Sequence, residues 1–406
     1  MNEAVRMIVL VAPNVSEQMG GEAIKALQIF REFKKLNPNT IQITHERCKA
    51  ELSGRLKLCD VHFVPDTWLA KLLWRSILFR QLVDVWFSVR AVKLAEAITS
   101  GAGKANRSTV IHQTEPNSPV MIRALSKLCL NVFGPINGNI YYPEIFRKNE
   151  SLKVSIRRKL HLPIQRLSAI FLKRFKKADV IFAAGGERTI SSLLAAGYDR
   201  KTIKETVDCG VPDEILDQQR ITHQATNFQF VHYGRLVYHK GTFLAIESLR
   251  QADNRVTLDI VGTGPELEAC RRLVETLQLE NRVTFLGWIK SHRELLALLR
   301  KYRGMVLPSL EDANGIVVQE SLALGLPPIC LDWGGPQLLI EHGRTGFLVD
   351  PSSQASITKG IAEAFDQLGT LPELAERMSI AGRARAEAWR WSRVAKEWMA
   401  SYAQSV

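Results

Sequence analysis

Residues 306–349 read VLPSLEDANGIVVQESLALGLPPICLDWGGPQLLIEHGRTGFLV. The segment opens as a short apolar strand, passes through an acidic loop that carries Gly315, and continues into a helix in which Glu320 follows Asp312 by eight positions. A strand, a glycine turn and a helix start in succession present backbone N–H groups and the positive end of a helix dipole to an anion or a sugar oxygen. A second turn, Leu331-Asp332-Trp333-Gly334-Gly335-Pro336, follows almost at once. Its glycines permit a close backbone approach that a Cβ would prevent.

Working outward, residues 228–302 repeat the pattern: strands at 228–233, 257–261 and 283–286, with helices at 242–251, 266–277 and 293–302. The first half does the same. Its apolar run at 7–11 reads as a central strand of a parallel sheet, and a loop at 12–21 leads to a helix at 22–36 with Ala23, Ala26, Leu27, Phe30 and Phe33 at helical spacing. Further strands are expected at 41–44, 61–64, 110–113, 131–133 and 180–183. Such alternation predicts doubly wound α/β architecture. Residues 217–227 are polar and read as a linker, giving domains 1–215 and 216–386, with a terminal helix at 387–406 that crosses back to the first domain.

Composition agrees with a globular chain of two ordinary domains: 406 residues, 46% hydrophobic and 23% charged. The apolar run at 7–12 is too short to span a bilayer and no cleavage signal follows it, so a cytoplasmic location is expected. Six cysteines stand singly, without metal-ligand spacing, which predicts reduced thiols and no metal. The formal net charge of +13 asks for an acidic partner: nucleotide phosphates, nucleic acid or an anionic membrane surface. No helix-turn-helix spacing or aromatic-interleaved basic motif supports nucleic acid.

Two segments bear on the membrane. Residues 66–98 are helical, basic and rich in large apolar side chains. Residues 147–177 hold eleven Lys and Arg against Glu150, and a helix over 163–178 places Arg166, Lys173, Lys176 and Lys177 opposite Ile164, Leu167, Phe171 and Phe175. Peripheral attachment to an anionic surface and a buried apolar face with solvated charges both fit this pattern.

Four elements of the second half bear on phosphate or hydroxyl recognition. Gly234-Arg235-Leu236-Val237-Tyr238-His239-Lys240-Gly241 brings two cations into one short loop. Val261-Gly262-Thr263-Gly264-Pro265-Glu266 is a second strand-to-helix turn, residues 312–320 a third, and Gly334-Gly335 a fourth. At the C-terminal ends of strands in one open sheet, all four would line one crevice.

Taken in order, these motifs resemble the retaining nucleotide-sugar glycosyltransferases of family 4, which have the GT-B fold of two Rossmann-like domains facing each other across a cleft. The resemblance is strong over 228–349 and looser in the first half, where Gly20-Gly21-Glu22, His112-Gln113 and Phe133-Gly134-Pro135-Ile136-Asn137-Gly138 are similar to that family's N-terminal domain. It implies that Arg235 and Lys240 hold the donor diphosphate beside Gly234, Gly262 and Gly264. Glu320 would bind the ribose, and Asp312 the donor sugar, next to the Gly315-Ile316-Val317 backbone. Gly20 and Gly21 would approach the phosphate, and His112 would face the transferred sugar with its side chain or its backbone. Asp312 stands where most members have Glu, and Asn314 where an aromatic residue is usual; both departures fall in the sugar subsite.

Cleavage of the bond between the anomeric carbon and the diphosphate puts negative charge on the leaving group, so fixed cations there act most strongly in the transition state. The resemblance implies same-face attack with no protein nucleophile, no cofactor and no metal. The expected activity is sugar transfer to a glycan or lipid-linked acceptor in cell-surface polysaccharide or lipopolysaccharide assembly. A nucleotide-sugar epimerase, a phosphorylase and a non-catalytic nucleotide- or glycan-binding relative are the competing readings.

Overall fold

A computed structural model describes residues 5–17, 19, 21–53, 57–74, 80–101, 103, 106–115, 118–138, 140–171 and 177–405. The chain divides into two compact units, one of Met1–Asn139, Lys159–Cys209 and Trp391–Val406, the other of Ile140–Arg158 and Gly210–Arg390.

The first unit is built on β1 (Met7–Val11), β2 (Thr40–His45), β3 (Val61–Val64), β4 (Thr109–Gln113), β5 (Leu130–Ile136), β6 (Val180–Ala183) and β7 (Ile203–Glu205). They pair in parallel in the order β3-β2-β1-β4-β5-β6-β7. Strands buried on both faces read as continuous apolar runs, as MIVLV does. On one face Val9, Val11, Ile43 and Ile111 pack with Phe87, Ala91, Val92 and Ala95 of the helix Arg80–Gly101. The helix Gly21–Leu36 buries Ala26 and Leu27 with Val15, Cys48 and Val61.

The terminal helix Trp391–Ala403 belongs to this unit. Trp398 stacks on Phe182 at 4.9 Å between ring centroids and donates Nε1–H to Thr206 Oγ1 at 2.7 Å. Two expected helices differ in extent. Residues 66–98 form Trp68–Trp74 and Arg80–Gly101, with 75–79 outside the described residues. The helix expected to start at Pro163 runs instead as Leu152–Phe171, straight through that proline. Pro163 is exposed, so its ring meets solvent, and the Leu, Lys and Arg residues before it favour helix. Lys173, Arg174, Phe175 and Lys176 lie outside the described residues. β7 was not legible, because Ile203-Lys204-Glu205 is too short and too polar to register as a strand.

The second unit carries β8 (Gln229–Tyr233), β9 (Thr257–Val261), β10 (Val283–Gly287), β11 (Gly304–Leu307), β12 (Pro328–Leu331) and β13 (Phe347–Val349). These too are parallel, in the order β10-β9-β8-β11-β12-β13. Its core joins Phe230, Leu258, Ile260, Val306 and Ile329 to Ile357, Ile361 and Phe365 of the helix Gln354–Thr370.

Residues 140–158, expected in the first domain, are part of this second unit. Tyr142 and Phe146 enter its core, Trp333 donates Nε1–H to the Tyr141 carbonyl at 2.7 Å, and Arg157 pairs with Glu311 at 3.2 Å. The polar stretch 217–227 is not a free linker either. Ile221 N–H donates to Leu324 O at 2.8 Å, and the His223 N–H reaches Glu376 at 2.7 Å, so its polarity is satisfied by packing onto the unit. All six cysteines are free thiols. Among the described residues no helix is long and apolar enough to cross a membrane.

Candidate active site

In the second sheet, β8, β9 and β10 step toward one edge, while β11, β12 and β13 step toward the other. The strand order therefore reverses between β8 and β11, where connections leave in opposite directions and open a crevice at the C-terminal strand ends. Gly234 to Lys240 follow β8, and Asp312 to Glu320 follow β11.

Lys240 and Asp312 meet there, with Nζ 2.5 Å from Oδ2. The other carboxylate oxygen, Oδ1, accepts the Gly315 N–H at 2.9 Å. Gly315 has φ +74°, a conformation that costs other residues a steric penalty, and from it the chain turns into the helix Ile316–Leu324. Val318 and Gln319 both donate to Gly315 O. The Ile316 and Val317 N–H groups are thus the helix-start donors that an external acceptor can satisfy. Tyr233, buried at the end of β8, donates its hydroxyl to Val317 O at 2.6 Å and anchors this first turn. Burial raises the Tyr233 pKa, so it stays a neutral donor.

Glu320 lies one helical turn beyond Ile316, hence on the same side of the helix. Its Oε1 is 3.1 Å from His292 Nε2. This hydrogen bond raises the His292 pKa, because the carboxylate favours the imidazolium. Arg235 is exposed, and its guanidinium makes no ion pair among the described residues. The second sheet thus brings together Arg235, Lys240, Asp312, the Gly315-Ile316-Val317 helix start and Glu320.

Other expected site residues have a different setting. A Cβ at Gly262 would run into the Gly234 carbonyl, and one at Gly264 into the Leu236 carbonyl. Leu236 also donates its N–H to Thr263 O at 3.0 Å. These two glycines let the loops after β8 and β9 pack backbone to backbone, whereas a Cβ at Gly234 would meet nothing within 4 Å. Gly334 and Gly335 press against the Asp312 loop in the same way: Gly335 donates to Asp312 O at 2.8 Å, and a Cβ on it would come within 2.6 Å of Ala313 O. The two turns of residues 306–349 thereby support each other. Asn314, 9% exposed, turns inward and donates Nδ2–H to Gln319 Oε1 at 2.9 Å.

In the first unit, Gly21 starts its helix and is exposed, and Gly20 lies outside the described residues. The side chain of His112, on β4, departs from the expectation that it faces a sugar. It is 0% exposed, with Nε2 2.7 Å from Gly134 O and Nδ1 2.8 Å from the Tyr402 hydroxyl. A carbonyl only accepts, so Nε2 carries the proton and Nδ1 accepts from Tyr402. Both nitrogens are used inside the unit, which makes His112 a link between sheet and terminal helix. Burial lowers its pKa to about 4.

The sequence alone did not point to His292 or Tyr233. His292 lies 28 residues from Glu320, and nothing in its local sequence marks it; Tyr233 reads only as the last residue of an apolar strand.

A doubly wound parallel sheet whose switch-point loops carry two cations, a helix start and two carboxylates defines an α/β protein suited to phosphate and sugar recognition. Residues 213–385 match the family model of the glycosyl transferases group 1. It is similar to the N-acetyl-alpha-D-glucosaminyl L-malate synthase of Bacillus anthracis, 33% identical over 47% of this chain and 50% of that protein. It is also similar to the alpha-D-kanosaminyltransferase of Streptomyces kanamyceticus, 32% identical over 37% and 38% respectively. The chain spans half or less of the length of these relatives. Among solved structures, Anabaena HepE in complex with UDP has a TM-score of 0.67 at 16% identity, covering 98% of this chain and 100% of that one. The lipopolysaccharide outer core galactosyltransferase WaaB, in its apo form, gives 0.67 at 13% identity, with 98% and 100% coverage. These likenesses show the fold, GT-B.

Proposed function

We propose that the chain transfers a glycosyl group from a nucleoside diphosphate sugar to a glycan or lipid-linked acceptor in cell-surface polysaccharide or lipopolysaccharide assembly. Transfer retains the anomeric configuration, requires neither metal nor cofactor, and takes place in the cytoplasm at the inner face of a membrane. The observation that carries this reading is the cluster at the β8/β11 switch point: Lys240 on Asp312, Asp312 on the Gly315 N–H, and Arg235 exposed in the adjoining loop. The relatives' names, sugar transferases of several kinds, support it.

Arg235, Lys240 and the Ile316 and Val317 N–H groups offset the charge that gathers on the departing diphosphate. They stabilise the transition state more than the ground state, because the charge is fully developed only as the bond breaks. Glu320 accepts from the ribose hydroxyls, and Asp312 from a hydroxyl of the donor sugar. Asp312 is held on both oxygens and is poorly placed for nucleophilic attack. In the proposed mechanism transfer is same-face, as the family resemblance implies, with the leaving phosphate oxygen taking the acceptor's proton.

The test is a panel of nucleotide sugars screened against the purified chain by thermal stabilisation, followed by product analysis with and without acceptor. Release of nucleoside diphosphate that depends on acceptor supports transfer. Conversion of one nucleotide sugar into another would indicate an epimerase, and stabilisation without turnover a binding protein.

A further inference from the structure

The helix Leu152–Phe171 is inside out over its second half. Gln165 and Ser168 face inward at 3% and 6% exposure, and Gln165 donates Nε2–H to Ser192 Oγ at 2.6 Å. Leu160, Ile164, Leu167 and Phe171 follow one another at intervals of four, three and four, the spacing of a single helical stripe, and all point outward. They are 47%, 46%, 53% and 75% exposed, with Ile170 beside them at 71%. A fold that buries a glutamine and a serine while leaving this stripe in water has placed its apolar face for something outside the unit.

We propose that this stripe docks on the surface of an anionic lipid bilayer. Charge selects the occupant. Residues 151–178 contain nine Lys and Arg and no Asp or Glu, and Lys159 and Arg166 are exposed on the same stretch of helix. A second copy of this face would bring two such cationic segments together, which opposes association. An anionic bilayer attracts the charges and offers hydrocarbon at the depth where the leucines and phenylalanine end. From Leu160 to Phe171 the stripe runs about 18 Å, a length suited to lying in the interface plane. The inference rests on the proposed transfer only in giving the surface a purpose, delivery of the chain to a membrane-borne acceptor.

The experiment is co-sedimentation of the full chain, without nucleotide, with vesicles of phosphatidylcholine alone or with about 30% phosphatidylglycerol. The chain is expected on the mixed vesicles, not on the neutral ones, with binding that falls as salt rises. The double variant Leu167→Asp/Phe171→Asp should reduce the bound fraction about tenfold. Arg166→Glu should weaken binding and flatten its salt dependence. Melting curves and nucleotide-sugar stabilisation, both expected to be unchanged, verify that the variants are folded with the donor site intact. Equal binding to neutral and anionic vesicles, or a double variant that binds like the parent, overturns the proposal. So does a dimer in sedimentation equilibrium that the double variant dissolves in the absence of vesicle binding. Loss of transfer chemistry with vesicle binding retained counts against the donor-site reading alone.

Discussion

Asp312 occupies the position of an anion for Lys240: its carboxylate lies 2.5 Å from the ammonium and also accepts the Gly315 N–H. The carboxylate therefore competes with any diphosphate that needs the same cation and the same helix start. Asp312→Asn keeps the shape and the Gly315 hydrogen bond and removes the charge. Nucleoside diphosphate affinity is expected to rise by about 1 kcal/mol, roughly fivefold, while transfer slows because an amide holds the sugar hydroxyl less strongly. Isothermal calorimetry and initial rates measure the two effects. An affinity that stays level or falls would show that Asp312 and the diphosphate do not compete.

In the proposed mechanism Lys240→Ala removes a cation from the departing diphosphate. A loss of about a hundredfold or more in kcat is expected, the scale seen when one charge-stabilising donor is taken from a site. The pair is partly solvated, at 23% and 12% side-chain exposure, so the fold should change little in stability. Near-parental turnover of a well-folded variant would remove Lys240 from the mechanism.

Glu320 and His292 give a spectroscopic readout of the proposed ribose subsite. Glu320→Gln should lower the His292 pKa toward its ordinary value, since the hydrogen bond to the carboxylate is what raises it. Nucleotide affinity should fall by about tenfold, the loss expected when a charged hydrogen-bond acceptor is removed. Imidazole proton NMR titration follows the first effect and calorimetry the second. A His292 titration that does not move would place the cause of its shift elsewhere.

The second unit was legible because its chemistry is local. Each cation, glycine turn and carboxylate sits within a few residues of the strand that positions it, so parallel topology alone brings Lys240 to Asp312. What those glycines are for was less visible. Gly262 and Gly264 read as ligand contacts, yet their hydrogens face the Gly234 and Leu236 carbonyls, a close approach that only the folded loops create. The first unit was harder, since its decisive contacts are remote in sequence. His112 meets Tyr402 across 290 positions, and no local pattern distinguishes a strand-end histidine that binds substrate from one that binds a terminal helix. Residues 140–158 left the first unit for the second through Tyr142, Phe146 and the bond from Trp333 to Tyr141, none of which has a counterpart in periodicity or composition.

Among the buried histidines that make the fold sensitive to acid are His112 in the first unit and His232 in the second. His112 donates to Gly134 O and accepts from Tyr402; His232 lies 3.0 Å from both Val306 O and Thr242 Oγ1, so it donates to the carbonyl and accepts from the hydroxyl. Burial pushes each from an ordinary 6.5 to about 4. Between those values the unfolded chain binds protons that the native rings refuse, so stability must fall as pH drops from about 6.5 toward 4, by up to roughly 1.4 kcal/mol per pH unit for each ring. Above pH 7 these two groups contribute no slope. Tyr402→Phe should cost about 1 kcal/mol at neutral pH yet preserve the acid slope, because desolvation and not the hydroxyl depresses His112. His112→Gln should lower stability at neutral pH and flatten the slope by one proton's worth. Urea melts of the three proteins at about pH 7.5, 6 and 5, one value above the window and two within it, decide between them. A slope that survives His112→Gln intact would mean that His112 already titrates in the native state.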